Sequence, residues 1–104
     1  MISESIMNSI SRMGAFLIKE PVVRRVWLFG SCARGEESSE SDVDLLVDYD
    51  RSHRLTLFTV GGIISNLEKI FGRRVDFVEN GYLIPTAALS AEKDKILIYE
   101  RKDS

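Results

Sequence analysis

Cysteine and histidine are almost missing from this chain: Cys32 and His53 are the only ones among 104 residues. A single cysteine excludes an internal disulfide and any cysteine-based metal site, which leaves Cys32 as a small packing residue in a turn. A single histidine cannot build a histidine-rich site, and His53 is expected as a polar loop residue. An excess of positive charge is also lacking, since 14 Lys and Arg stand against 16 Asp and Glu for a net charge of −2. This argues against a general nucleic-acid-binding surface. Long apolar runs are absent too. Nothing approaches the roughly 20 residues of a membrane-spanning helix, and a start with Glu4 early and no basic segment ahead of an apolar one lacks the form of a signal peptide. A cytoplasmic location is the default expectation.

What is present is an apolar content of 44%, as in a soluble globular protein. The length predicts a single domain over residues 1–104, with a real core but no separate substrate-binding domain. A large substrate is then expected to be presented by a partner protein. Ile6, Ile10, Met13 and Leu17 recur at helical spacing and predict a helix ended by Pro21. Val22 to Phe29 reads as a strand covered on both faces, because Val26, Trp27, Leu28 and Phe29 are all apolar, and Gly30 breaks it. A short helical turn and a polar loop, Cys32 to Ser41, follow. From Asp42 to Tyr49 the chain alternates, with Val43, Leu45, Val47 and Tyr49 on one face and Asp42, Asp44, Leu46 and Asp48 on the other.

Leu57, Val60, Ile64, Leu67 and Phe71 predict a second amphipathic helix. Gly61 and Gly62 weaken its middle by roughly 1 kcal/mol each relative to alanine, which implies a kink or a close packing contact. Gly72 is the expected stop, and Arg74 to Val78 the third strand. The stretch from Leu83 to Glu100 is expected to hold a short helix near Thr86 to Lys93 and an edge strand over Ile96 to Tyr99. The candidate partner surfaces are the Gly61-Gly62 helix and the Tyr82 to Leu89 stretch.

The strongest functional signal is the run from Gly30 to Asp44. Two residues apart on a strand, Asp42 and Asp44 would point the same way with carboxylates roughly 6 to 7 Å apart. At an effective dielectric near 20, two such charges repel by roughly 2 to 3 kcal/mol. A cation between them is expected, and Mg²⁺ fits because it takes a few carboxylate oxygens and completes its shell with water and substrate phosphates. Asp76 could supply a third carboxylate if its strand lies beside that of Asp42, and three acidic ligands can hold two metal ions. At the other end of the run, Gly30 lets the backbone approach a phosphate and Ser31 offers a hydroxyl and an amide at the start of a helical turn. Arg34 adds a positive charge that could pair with a phosphate or with one of the acidic residues. A calcium-loop reading of Asp42, Asp44, Asp48 and Asp50 fails, because the fifth, sixth and twelfth positions are Leu46, Val47 and His53.

Together, Gly30-Ser31-x-Ala33-Arg34-Gly35 and Asp42-x-Asp44 resemble the signature of the nucleotidyltransferase superfamily that includes DNA polymerase beta. The shortness of the chain, the Gly72 to Val78 segment and the apolar tail resemble its minimal members, the MNT or MntA type, over residues 22 to 100. The resemblance implies an α/β (α+β) nucleotidyltransferase fold, a small mixed sheet flanked by helices. It implies that Gly30 and Ser31 bind the triphosphate of ATP, beside Arg34 as a nucleotide-binding candidate from its charge, and that Asp42, Asp44 and Asp76 hold Mg²⁺, as two ions, and carry the catalysis. It further implies an antitoxin that transfers AMP to a tyrosine of a HEPN-domain ribonuclease toxin, in a hetero-oligomer with that toxin. Two other readings stay open: a non-catalytic antitoxin that masks the toxin by binding, and a small-molecule nucleotidyltransferase of the antibiotic-modifying kind.

Overall fold

The computed structural model describes residues 1–83 and 85–102. Ile84, inside the expected C-terminal stretch, and Asp103 and Ser104 lie outside the described residues. Helix α1 spans Glu4–Leu17, and the Ser3 hydroxyl caps it by accepting the Ile6 amide at 3.3 Å. Ile6, Met13 and Leu17 are buried, as the spacing predicts, and Ile10 is half-buried. Strand β1 follows over Val23–Phe29, then a short helix α2 over Gly30–Arg34, strand β2 over Val43–Tyr49 and helix α3 over Leu57–Phe71. Strand β3 (Val75–Glu79), helix α4 (Pro85–Asp94) and strand β4 (Ile96–Glu100) complete the order.

The four strands form one mixed sheet in the order β3-β2-β1-β4. β1 pairs antiparallel with both β2 and β4, whereas β2 and β3 run parallel through the α3 crossover. β4 is thus an edge strand, as expected. Alternation along the strands sends Val26, Leu28, Val43, Leu45 and Val47 to one face, where they are fully buried against Ile6, Met13, Leu17, Ile63 and Leu67 of α1 and α3. The other face carries Trp27, Asp44, Leu46 and Asp48. There α4 provides partial cover: Leu46 and Ala91 are both buried, and the Lys95 ammonium lies 5.2 Å from the centre of the Trp27 ring. This second layer is incomplete, which is why Trp27 and Phe29 are only half-buried although the strand reads as covered on both sides.

Helix α3 departs from its expected stripe. Ile63, not Ile64, is the deeply buried residue of the middle turn, and Leu57 is 90% exposed. The helix runs unbroken through Gly61 and Gly62, and a Cβ at either would meet nothing within 4 Å, so neither a kink nor a close contact explains them. Gly72 ends the helix in a left-handed conformation, with φ of 69°, as the stop requires.

The ends of β1, β2 and β4 are clasped by Asp50, whose carboxylate receives the Ser52 hydroxyl at 2.6 Å and the Arg101 guanidinium at 2.8 Å. Arg101 also donates to the Pro21 carbonyl. The Ser52 hydroxyl and amide, and then Arg101, hold the Asp50 carboxyl well below the usual carboxylate range. A carboxyl depressed in the folded state adds stability above the ordinary range and loses it as the pH falls through its folded value. Asp50→Asn should therefore lower the thermal midpoint at pH 7 by a few degrees, with the deficit shrinking in strong acid; equal midpoints at pH 7 would exclude the clasp.

Candidate active site

The site is built at the sheet end where β1 stops and β2 and β3 begin. Phe29, the last residue of β1, is opposite Asp44 in the antiparallel register. The next residue, Gly30, has φ of +74°, and a Cβ there would lie 2.4 Å from Asp44 Oδ2. Only glycine meets both conditions, a left-handed backbone and direct contact with a carboxylate. Ser31 follows in the same turn of α2, half-buried, while Cys32 and Ala33 are buried as packing residues. The Cys32 thiol points to the Asp42 carbonyl at 3.7 Å.

β2 and β3 are in parallel register with Asp44 opposite Asp76, so the two side chains leave the same face at the same level. Burial pushes the Asp44 carboxyl up to about 6, and the charge of Asp76, a hydrogen-bonding contact with it and the charge of Asp42 push the same way. Only Arg34 pulls it down. β2 begins at Val43, so Asp42 is not a strand residue; it sits half-buried in the irregular segment just before the strand. Asp44 and Asp76 form the close pair, and the charge of Asp42 acts on Asp44 from the segment before β2. Among the described residues no three Asp, Glu, His or Cys side chains are already gathered into a metal-holding group. The donor set nonetheless suits Mg²⁺: hard carboxylate oxygens, closely paired, with uncompensated negative charge that a cation would relieve.

Arg34 is engaged with carboxylates outside the aspartate set. Its Nη1 lies 2.6 Å from Asp94 and its Nε 2.8 Å from Glu36, so the guanidinium bridges the end of α2 to the end of α4. Two residues that the motif does not contain also shape the site. Asp94 holds Arg34, and nothing in its sequence context marks it. Arg73 donates from Nη1 to the carbonyls of Ser38 at 2.8 Å and Ser41 at 3.0 Å, pinning the loop that delivers Asp42. The Arg73-Arg74 pair just ahead of Asp76 is its visible signal. The Val43 amide donates to the Arg74 carbonyl at 2.9 Å, which ties the start of β2 to the start of β3, and the Val75 amide donates to Glu68 Oε2 at 3.1 Å, which ties β3 to α3.

These features place the chain among proteins of known class. The nucleotidyltransferase domain profile matches residues 14–99, and the chain belongs to that family. A protein of Methanocaldococcus jannaschii provisionally named a protein adenylyltransferase is 36% identical over 77 residues, 73% of this chain and 77% of its own length. The protein adenylyltransferase MntA of Thermococcus cleftensis is 43% identical over 56 residues, 54% of each chain. A solved structure provisionally described as a minimal nucleotidyltransferase superposes with a TM-score of 0.73 at 30% identity, over 92% of this chain and 95% of the other. A toxin–antitoxin structure with AMP-PNP shares the fold at a TM-score of 0.65 and 19% identity, covering 91% of this chain and 73% of the other. A tri-AMPylated Shewanella oneidensis HEPN toxin in complex with an MNT antitoxin shares it at 0.60 and 15%, covering 93% and 73%.

A carboxyl whose folded pKa is about 6 subtracts from stability above that pH, because the unfolded chain ionises it more easily; the loss is relieved as the pH falls through 6 toward the ordinary range. Asp44→Asn should therefore stabilise the fold by about 1 to 2 kcal/mol at pH 8, with the gain shrinking by pH 5. A variant no more stable than wild type at pH 8 would rule out the charge conflict. Gly30→Ala should cost about 1 to 3 kcal/mol through the left-handed backbone and the collision with Asp44, and reduce nucleotidyl transfer at least a hundredfold while the circular dichroism spectrum stays native. Retained transfer in a folded Gly30→Ala protein would show that the contact has no role.

Proposed function

We propose that this chain, as one minimal domain acting in the cytoplasm, transfers AMP from ATP to a tyrosine hydroxyl of a HEPN-domain toxin and thereby serves as its antitoxin. The observation that carries the chemistry is the opposition of Asp44 and Asp76 beside Gly30. The assignment of AMP and of a protein acceptor is supported by the adenylyltransferase names of the relatives and by the toxin–antitoxin neighbours in structure. No helix among the described residues is long and apolar enough to cross a membrane.

In this reading Asp42, Asp44 and Asp76 hold Mg²⁺, as two ions, which when bound neutralises the carboxylates and lowers the pKa of the acceptor hydroxyl. Gly30 and Ser31 present backbone and hydroxyl to the triphosphate, and Arg34, at the end of the same turn, supplies positive charge beside Asp44. The new bond forms between the tyrosine oxygen and the α-phosphorus, the bond from that phosphorus to the β-bridging oxygen breaks, and pyrophosphate leaves. The tyrosine proton passes to the Asp76 carboxylate, which is exposed and can release it to water. Asp44, partly buried under the Gly30 turn, is the fixed member of the pair.

Incubation with α-labelled ATP, Mg²⁺ and the HEPN-domain protein encoded in the same genome should place label on that protein, and Asp44→Ala or Asp76→Ala should reduce it at least a thousandfold. Equal labelling by Asp44→Ala, or protection of cells from the toxin by an Asp42→Ala/Asp44→Ala double variant at wild-type level, would replace transfer with masking.

A further inference from the structure

Arg34 is a long cationic side chain next to an acidic site that lacks a counter-charge, and it does not enter that site. It leaves α2 one helical turn after Gly30, the residue whose missing Cβ lets the chain touch Asp44. Its charge reaches Asp44, where it favours the ionised carboxylate. An arginine so placed is drawn to the nearest carboxylate. Yet no ion pair joins Arg34 to Asp42, Asp44 or Asp76 among the described residues.

Two other acids hold it instead. Glu36 takes Nε at 2.8 Å and Asp94 takes Nη1 at 2.6 Å, so two carboxylates share one guanidinium. The pairing leaves Nη2 without a hydrogen bond among the described residues. Of the two acids Asp94 is the better shielded, with its side chain 19% exposed against 65% for Glu36, so water weakens its attraction less. It also comes from α4, sixty residues along the chain, so no local feature of the turn supplies it. An ion pair this open to solvent contributes little to folding, and its consequence lies in where the guanidinium is kept. We propose that Asp94 is a positioning residue: with Glu36 it holds the Arg34 guanidinium at the edge of the site, so that Asp42, Asp44 and Asp76 stay open to a divalent cation and Nη2 to a phosphate. Without Asp94 the guanidinium turns to Asp44 and competes with the cation for the same oxygens. The inference rests on the reading of the three aspartates as a Mg²⁺ site.

The test is titration of the chain with Mn²⁺ alone, without nucleotide, followed by loss of the free-ion paramagnetic resonance signal; Mn²⁺ takes the same carboxylate oxygens as Mg²⁺. Asp94→Ala should weaken Mn²⁺ binding at least about tenfold. Arg34→Ala should bind at least as tightly as wild type, and Asp94→Ala/Arg34→Ala should return to within about twofold of Arg34→Ala. That rescue separates competition by the guanidinium from the mere loss of a nearby negative charge, which the second substitution does not restore. Glu36→Gln, at an exposed site outside α4, should weaken binding in the same direction by about threefold. The Mg²⁺ concentration for half-maximal labelling of the HEPN-domain protein by Asp94→Ala should rise with the Mn²⁺ Kd, a shift that a smaller folded fraction would not cause. Wild-type Mn²⁺ affinity in Asp94→Ala, or a weakened affinity that removal of Arg34 does not restore, overturns the positioning role and, with label still transferred by the wild-type chain, leaves the activity standing. No Mn²⁺ binding by the wild-type chain, or binding that Asp44→Ala leaves intact, overturns the metal reading and this proposal with it.

Discussion

Two carboxylates held against each other on neighbouring strands set the terms for everything else in this structure. Parallel pairing of β2 with β3 puts Asp44 and Asp76 at one level of one face, and partial burial of Asp44 makes their mutual charge costly. Such a pair survives only where the surrounding backbone is over-determined. The Val43 to Arg74 hydrogen bond ties the two strand starts together, the Val75 to Glu68 bond ties the start of β3 to α3, and Arg73 ties the approach to β3 to the loop ahead of Asp42. The sheet face behind them is an apolar layer under α1 and α3. The negative charge is accordingly directed outward, to the open end of the sheet, where a cation and a phosphate can reach it.

Gly30 and Arg34 stand at opposite ends of the same five-residue helix and act on the same carboxylate by different physics. Gly30 acts by the absence of a side chain, which allows contact with Asp44 Oδ2. Arg34 acts by charge from beside the site while its guanidinium is held by Asp94 and Glu36. Through Asp94 the turn is joined to α4, the helix that partly covers the sheet face of Asp44, so the turn and that cover belong to one ion-paired unit.

The helices and strands were largely legible in the residues. Ile6, Met13 and Leu17 mark the buried stripe of α1, the alternation of Val43, Leu45 and Val47 marks β2, and Gly72 marks the end of α3. The turn at Gly30 after β1 and the place of Asp44 on β2 were legible as well, because a glycine break and an alternating pattern are properties of the chain itself. What misled was local. Leu57 fits the helical period yet faces water, since periodicity records which side of a helix a residue occupies and not whether the core extends that far. Gly61 and Gly62 suggested a contact inside the molecule, and the space around them is open. Asp42 alternates like a strand residue but lies in the irregular segment ahead of β2, because the pairing with β3 starts only at Val43.

By itself, then, the sequence determined the order of elements, the class of chemistry and the two aspartates of the motif, all of which follow from near neighbours along the chain. Tertiary structure decided the rest: that Asp76 opposes Asp44, that Arg34 answers to Asp94 sixty residues away, and that Arg73 braces the loop before Asp42. The reason is physical. Strand register, ion-pair choice and helix exposure depend on contacts between residues distant in sequence, and those contacts have no signature until the sheet brings them together.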